Sequence, residues 1–184
     1  MTVPVATEAI KTAQAIAVVD APKDASHAHV RAVSELAHEI VSAGIARSPT
    51  IARLVGELDR SDVIVFIDTR VDPDIPTAET MLMTQAGSVR YVHVILNPRM
   101  TMNDRVEYLG HELQHVMEIA SDRSAVDAAS VRRRFEEIGH EIASLSAREK
   151  WFETDGARRV SLLVRRELVV GAKSRSAERA SAPR

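Results

Sequence analysis

The hydrophobic period changes twice along this chain of 184 residues, and the two changes restrict the fold more than any other feature. Up to Leu58 the apolar residues recur at three and four positions, as on amphipathic helices. Val33, Leu36, Ala37, Ile40 and Val41 mark a first helix from about Ala28, which Gly44 is expected to end. Ser48-Pro49 opens a second, with Pro49 at its first position and Ile51, Leu54, Val55 and Leu58 facing inward. The period then shortens. Asp62–Asp68 is a β-branched run that predicts a strand buried on both faces, Thr80–Thr84 a second strand, and Val89–Leu96 a third. Asp72–Pro76 reads as a loop and Gln85–Ser88 as a hairpin connection. After Asn97-Pro98 the helical period returns, with Thr101–Asp104 as caps for a helix to about Ala120. Further helices are expected over Asp127–Ser144 (Val131, Phe135, Ile138, Ile142) and Lys150–Val170, the last ended by Gly171. Helices, a three-stranded meander and helices again predict an α+β fold.

Length and composition narrow the function classes. The chain suits one domain, expected over residues 27–172, with a mobile leader over 1–26 and a disordered polar tail over 173–184. A formal charge of -2 argues against nucleic-acid binding driven by bulk electrostatics. The absence of cysteine removes disulfides, thiolate ligands and a cysteine nucleophile together. No apolar run approaches the roughly 18 residues of a membrane span. Ala13–Val19 follows Lys11 but is interrupted by Gln14 and closed by Asp20, which makes a poor secretory signal. As the sequence stands the cytoplasm is the expected location; export would need a signal upstream.

The chemistry concentrates in His111-Glu112-Leu113-Gln114-His115. Histidines four apart on a helix project from one face, so both imidazoles can reach one metal ion. Glu112 falls about 100° round the helix, beside such an ion, where it can take a proton from water. Leu109, Leu113, Val116, Met117 and Ala120 form an apolar back, while Tyr108, Glu118 and Asp122 share the histidine face. Catalytic zinc needs three protein ligands. A third histidine six residues after His115 is ruled out by Ser121. The remaining sources are Glu118 or Asp122 on the same helix, or a later helix beginning at Trp151, where Glu153 and Asp155 lie close together. Tyr108, Tyr91, His93, Arg158 and Arg159 are candidates to stabilise an oxyanion, and Tyr108 has the best helical phase. His27, His29, His38 and His140 lie apart from the motif, and Arg132–Arg134 followed by Glu136-Glu137 reads as a solvated face.

The motif followed by Glu153 resembles the gluzincin group of zinc metallopeptidases, whose third ligand is a downstream helical Glu. The small size is similar to the minimal members, the minigluzincins. Gly110–Ala120 with Phe152-Glu153-Thr154 also resembles a set of bacterial proteins sharing a Gly-His-Glu-Leu-Gln-His and aromatic-Glu-Thr pattern. The resemblance spans roughly Pro49–Leu168. It implies a zincin-like fold, Zn2+ held by His111, His115 and Glu153, Glu112 as general base, and a peptide or protein substrate. On this mapping Asp155 is the second choice for third ligand, and it matches only loosely the acid that orients a histidine in that group. Val89–Leu96, just before the motif helix, could pair as an edge strand with an extended peptide. The competing expectation is a zinc-stabilised binding or regulatory module without turnover, closed by a fourth ligand from Glu118 or Asp122.

Overall fold

A computed structural model describes residues 27–71, 77–142 and 151–181, with side chains described as far as Ala172. The expected leader and the Asp72–Pro76 loop lie outside the described residues. The elements are β1 (Val30–Ala32), α1 (Glu35–Arg47), α2 (Pro49–Leu58), β2 (Val63–Thr69), β3 (Ala78–Ala86), β4 (Val89–Leu96), α3 (Met102–Ser121), α4 (Ala128–Ile138), β5 (Gly139–Ile142), β6 (Trp151–Thr154) and α5 (Asp155–Ser181). The fold is α+β. No described helix is long and apolar enough to cross a membrane.

The first helix starts later than its apolar spacing suggests. Ser34 caps it by accepting the Ala37 amide at 3.2 Å, and the residues before it form the short strand β1. Gly44 does not end the helix. It lies where α1 meets its neighbours, and a Cβ there would stand 3.2 Å from both Ile51 and Leu109. Ser48 closes α1 and also caps α2, with Pro49 first in α2 and Ile51, Leu54, Val55 and Leu58 buried as expected.

The main sheet has four strands in the order β1-β2-β4-β3, so it is mixed and not a meander. β2 runs parallel to both β1 and β4, while β3 is antiparallel to β4 through a turn at Gly87, whose φ of 59° suits glycine. Composition explains the order. β4 is rich in Val, Ile and Leu and takes an interior place, whereas β3 carries Glu79, Thr80, Thr84 and Gln85 and takes the edge. Val89–Leu96 is therefore no edge strand; β3 has that position. β2 is buried through Val63, Val65 and Ile67, but its alternate residues are only half-buried, so it is not enclosed on both faces.

Val65, Ile67, Val92 and Val94 face the same core as Ile51, Leu54, Leu109, Leu113, Val116 and Val164. The long helix α3 runs through that core. Gly110 lets α5 come close, since a Cβ there would meet Val164 Cγ2 at 2.8 Å.

The C-terminal third departs most from its helical period. α4 begins at a capping box between Asp127 and Ser130 but stops at Ile138. Gly139 then admits the neighbouring strand, because a Cβ there would lie 2.6 Å from the Glu153 carbonyl oxygen. β5 and β6 pair as an antiparallel ribbon, so Ile142 is on a strand and Glu153 precedes the last helix instead of lying on it. Thr154 caps α5 by accepting the Ala157 amide at 3.0 Å. Gly171 does not end α5, and the polar segment expected to be disordered is helical as far as Ser181.

Candidate metal centre

α3 places His111 and His115 one turn apart, and their Nε2 atoms lie 3.1 Å from each other. β6 brings Glu153 across, with Oε1 3.6 Å from His111 Nε2 and 3.9 Å from His115 Nε2. The three atoms fall within 4.8 Å of one another and could hold a metal ion. Two donors bound at about 2.0–2.1 Å around a tetrahedral ion stand about 3.3 Å apart, so these separations match a site needing little adjustment. Of the acids weighed as third ligand, Glu153 joins the histidines. Asp155 is exposed in the first turn of α5 and outside the group. Asp122 sits past the end of α3, where its carboxylate accepts from Ser124.

The remaining imidazole nitrogens have partners that aim the Nε2 atoms inward. His115 Nδ1 lies 2.9 Å from Glu118 Oε2, and the Ser161 hydroxyl is 3.3 Å from His111 Nδ1. Glu118 also accepts from Thr154 Oγ1 at 2.8 Å and from Gln114 at 3.4 Å. Burial works against its charge, but the His115, Thr154 and Gln114 hydrogen bonds outweigh it and hold the carboxyl below its ordinary range. Gly156 makes room for this carboxylate, since a Cβ there would stand 2.5 Å from Glu118 Oε1. Burial, then the neighbouring His115, lowers the His111 pKa to about 4, so this imidazole is neutral as a metal ligand must be. For His115 burial also lowers the value, but the hydrogen bond to Glu118 with the charges of Glu112, Glu118 and Glu153 outweighs it and leaves the pKa raised.

Glu112 is 5% exposed. Its Oε2 accepts the Thr80 hydroxyl at 2.7 Å from the edge strand β3. Burial raises its pKa, partly offset by His115 and by that hydrogen bond. The histidine face is thus not the open polar front its helical wheel suggests: α5, the ribbon and α4 cover it, with Phe135 edge-on to His115 at 5.3 Å. On the core side Leu109, Leu113 and Val116 are buried together with Ile119, while Met117 and Ala120 are only partly covered.

A cleft of about 240 Å³ opens beside His111 and Glu153, lined on α3 by Glu107 and Tyr108 and on α5 by Arg158, Ser161, Leu162 and Arg165. Of the oxyanion candidates, Tyr108 and Arg158 line it. The Tyr108 ring is 6.2 Å from the His111 ring, centre to centre. Arg159 is exposed and does not line it. Tyr91 and His93 alternate with the inward Val92 and Val94, which puts them on the sheet face away from α3. There Tyr91 stacks on Phe66 at 6.3 Å and His93 lies 3.8 Å from Asp68. Of the isolated histidines, His27 pairs with Asp59 at 3.1 Å and His29 Nδ1 meets the Val63 carbonyl at 3.1 Å. Arg132 pairs with Glu136 and Arg134 with Glu137, the solvated face expected there.

Sequence reasoning missed Thr80, Thr154, Ser161 and the Glu107–Arg165 pair. A hydroxyl carries no pattern of its own, and only Thr154, beside Glu153, had a signal in the aromatic-Glu-Thr triplet. No protein-family model, curated protein or solved structure matches the chain.

Proposed function

We propose that the chain is a zinc-dependent metallopeptidase of gluzincin type with a zincin-like arrangement. The observation that carries this reading is the convergence of His111, His115 and Glu153 beside a buried carboxyl, Glu112, whose pKa is raised. Two imidazoles and a carboxylate at these separations suit zinc, and three protein donors leave a position for water. Bound there, zinc would supply a Lewis acid that polarises the scissile carbonyl and acidifies water. Glu112 is the general base. Thr80 occupies its Oε2, which leaves Oε1 to take the proton of the attacking water, and its raised pKa suits passing that proton to the leaving amine. Tyr108 is the cleft hydroxyl assigned to the developing oxyanion. The edge strand β3, tied to Glu112 through Thr80, offers main-chain pairing to an extended peptide. A closed, non-catalytic zinc site would need a fourth protein ligand, and both candidates are engaged elsewhere: Glu118 by His115 and Thr154, Asp122 by Ser124.

The test pairs metal content with proteolysis of unfolded casein. The parent is expected to bind about one zinc per chain. Glu112→Gln keeps the metal and loses about a hundredfold or more in rate, whereas His115→Ala loses both. Cleavage by Glu112→Gln as fast as the parent overturns the mechanism.

A further inference from the structure

The walls of the cleft differ in charge. On α5, Arg158, Ser161, Leu162 and Arg165 recur at three- and four-residue intervals and form one stripe facing Glu107, Tyr108 and His111 on α3. Arg165 is neutralised in place: its Nε and an Nη lie 2.7 and 2.9 Å from the two oxygens of Glu107. Arg158 is exposed and has no hydrogen bond or ion pair among the described residues. A divalent ion bound by two neutral imidazoles and Glu153 would leave one positive charge at the centre, which the Glu118 carboxylate hydrogen-bonded to His115 offsets. The Glu107–Arg165 pair is neutral as well. Among the described residues lining the cleft, Arg158 is therefore the one guanidinium without a partner, and its planar donors fit a carboxylate. Leu162, exposed on the same wall, offers apolar contact beside it.

We propose, on the footing of the metal-centre reading above, that the cleft selects anionic peptides by pairing a substrate carboxylate with Arg158. An acidic side chain and a free C-terminus carry the same group, and the cleft chemistry serves either.

Cobalt-loaded protein gives a test independent of turnover, because thiol ligation changes the visible spectrum of the ion. Three probes share a 3-mercaptopropionyl group: its glycine conjugate with a free carboxylate, its glutamic acid α-amide, and its glutamine α-amide as the neutral reference. At least one acidic probe should bind about tenfold tighter than the neutral one. Which of the two does so identifies the source of the carboxylate. Arg158→Gln should bring the acidic and neutral affinities to within about twofold, while Arg159→Gln, altered outside the cleft, should keep the preference. Equal binding of all three probes by the parent, or a preference that survives Arg158→Gln, overturns the proposal. Failure of the parent to take up cobalt overturns the metal-centre reading, and this proposal with it.

Discussion

Glu118 is not one of the converging ligands, yet it connects the two chain segments that meet at the site. Its carboxylate takes His115 Nδ1 on one oxygen and Thr154 Oγ1 on the other, and Thr154 in turn caps α5 beside Glu153. One side chain thereby fixes the tautomer of one ligand and the position of the residue next to another. Glu118→Ala is expected to lower zinc affinity about tenfold to a hundredfold, with Glu118→Gln between it and the parent, because an amide oxygen still accepts from the imidazole. Competition with a chromophoric chelator measures this, and unchanged affinity in the Ala variant would leave Glu118 a packing residue only. The pair of histidines was legible because helical spacing alone puts them on one face. Glu153 was reached through a resemblance, since nothing in the helical period places a residue that lies on a strand. The helical phase of Glu118 already puts it near His115, where a carboxylate can orient the imidazole, but its second partner Thr154 and the Glu112 partner Thr80 were hidden because they lie 36 and 32 residues away in the chain.

Among the elements, α3 is secured at its C-terminus by a residue of the sheet. Arg90 on β4 is 1% exposed, and its guanidinium donates to the carbonyls of Ile119, Ala120, Asp122 and Ala125 at 2.7–3.1 Å. Asp62 completes the shell with contacts of 2.8 and 3.1 Å. The cation gathers carbonyls at and just past the helix end, of which Ile119 and Asp122 also accept a backbone amide, and it complements the negative end of the helix dipole. Arg90→Met keeps the volume but removes these hydrogen bonds, and because the Asp62 side chain is 35% exposed and can hydrate, it should cost about 1–3 kcal/mol in urea unfolding. The hydrogen bond and charge of Arg90 lower the Asp62 pKa. A depressed carboxylate stabilises fully above the unfolded value near 4 and loses its contribution as pH falls through the folded value, so acid should weaken the parent through this pair and spare Asp62→Asn that part of the loss. Elements set by local rules were readable: α2 from Ser48-Pro49, α3 from its period, the hairpin from Gly87. Elements set by distant partners were not. β1 is three residues long and exists by pairing with β2, and Ile142 continues the helical spacing of Phe135 and Ile138 on α4 although it lies on β5, paired with β6. The strand order also escaped the sequence, because adjacency of β2 and β4 across β3 depends on which strand buries most.

At the scale of the molecule, the two histidines stand on a helix rooted in the main core, while Glu153 arrives on a two-stranded ribbon that pairs as a sheet separate from the four-stranded one. A two-stranded ribbon is marginally stable by itself and depends on what it packs against, here α4 and α5. Hydrogen exchange should therefore find the β6 amides opening more readily than those of β2 and β4 in the metal-free protein. Free zinc at ten times its dissociation constant should slow them about tenfold, and protection indifferent to metal would count against a ligand on this ribbon. The consequence of placing Glu153 on the ribbon is one of order in time. On the proposed metal reading, a nascent chain that has emerged only as far as α3 would carry both imidazoles but lack Glu153, and coordination would become tight only once the last third has docked. Metal uptake would then act as a checkpoint on completion, withholding the proposed activity from unfinished copies.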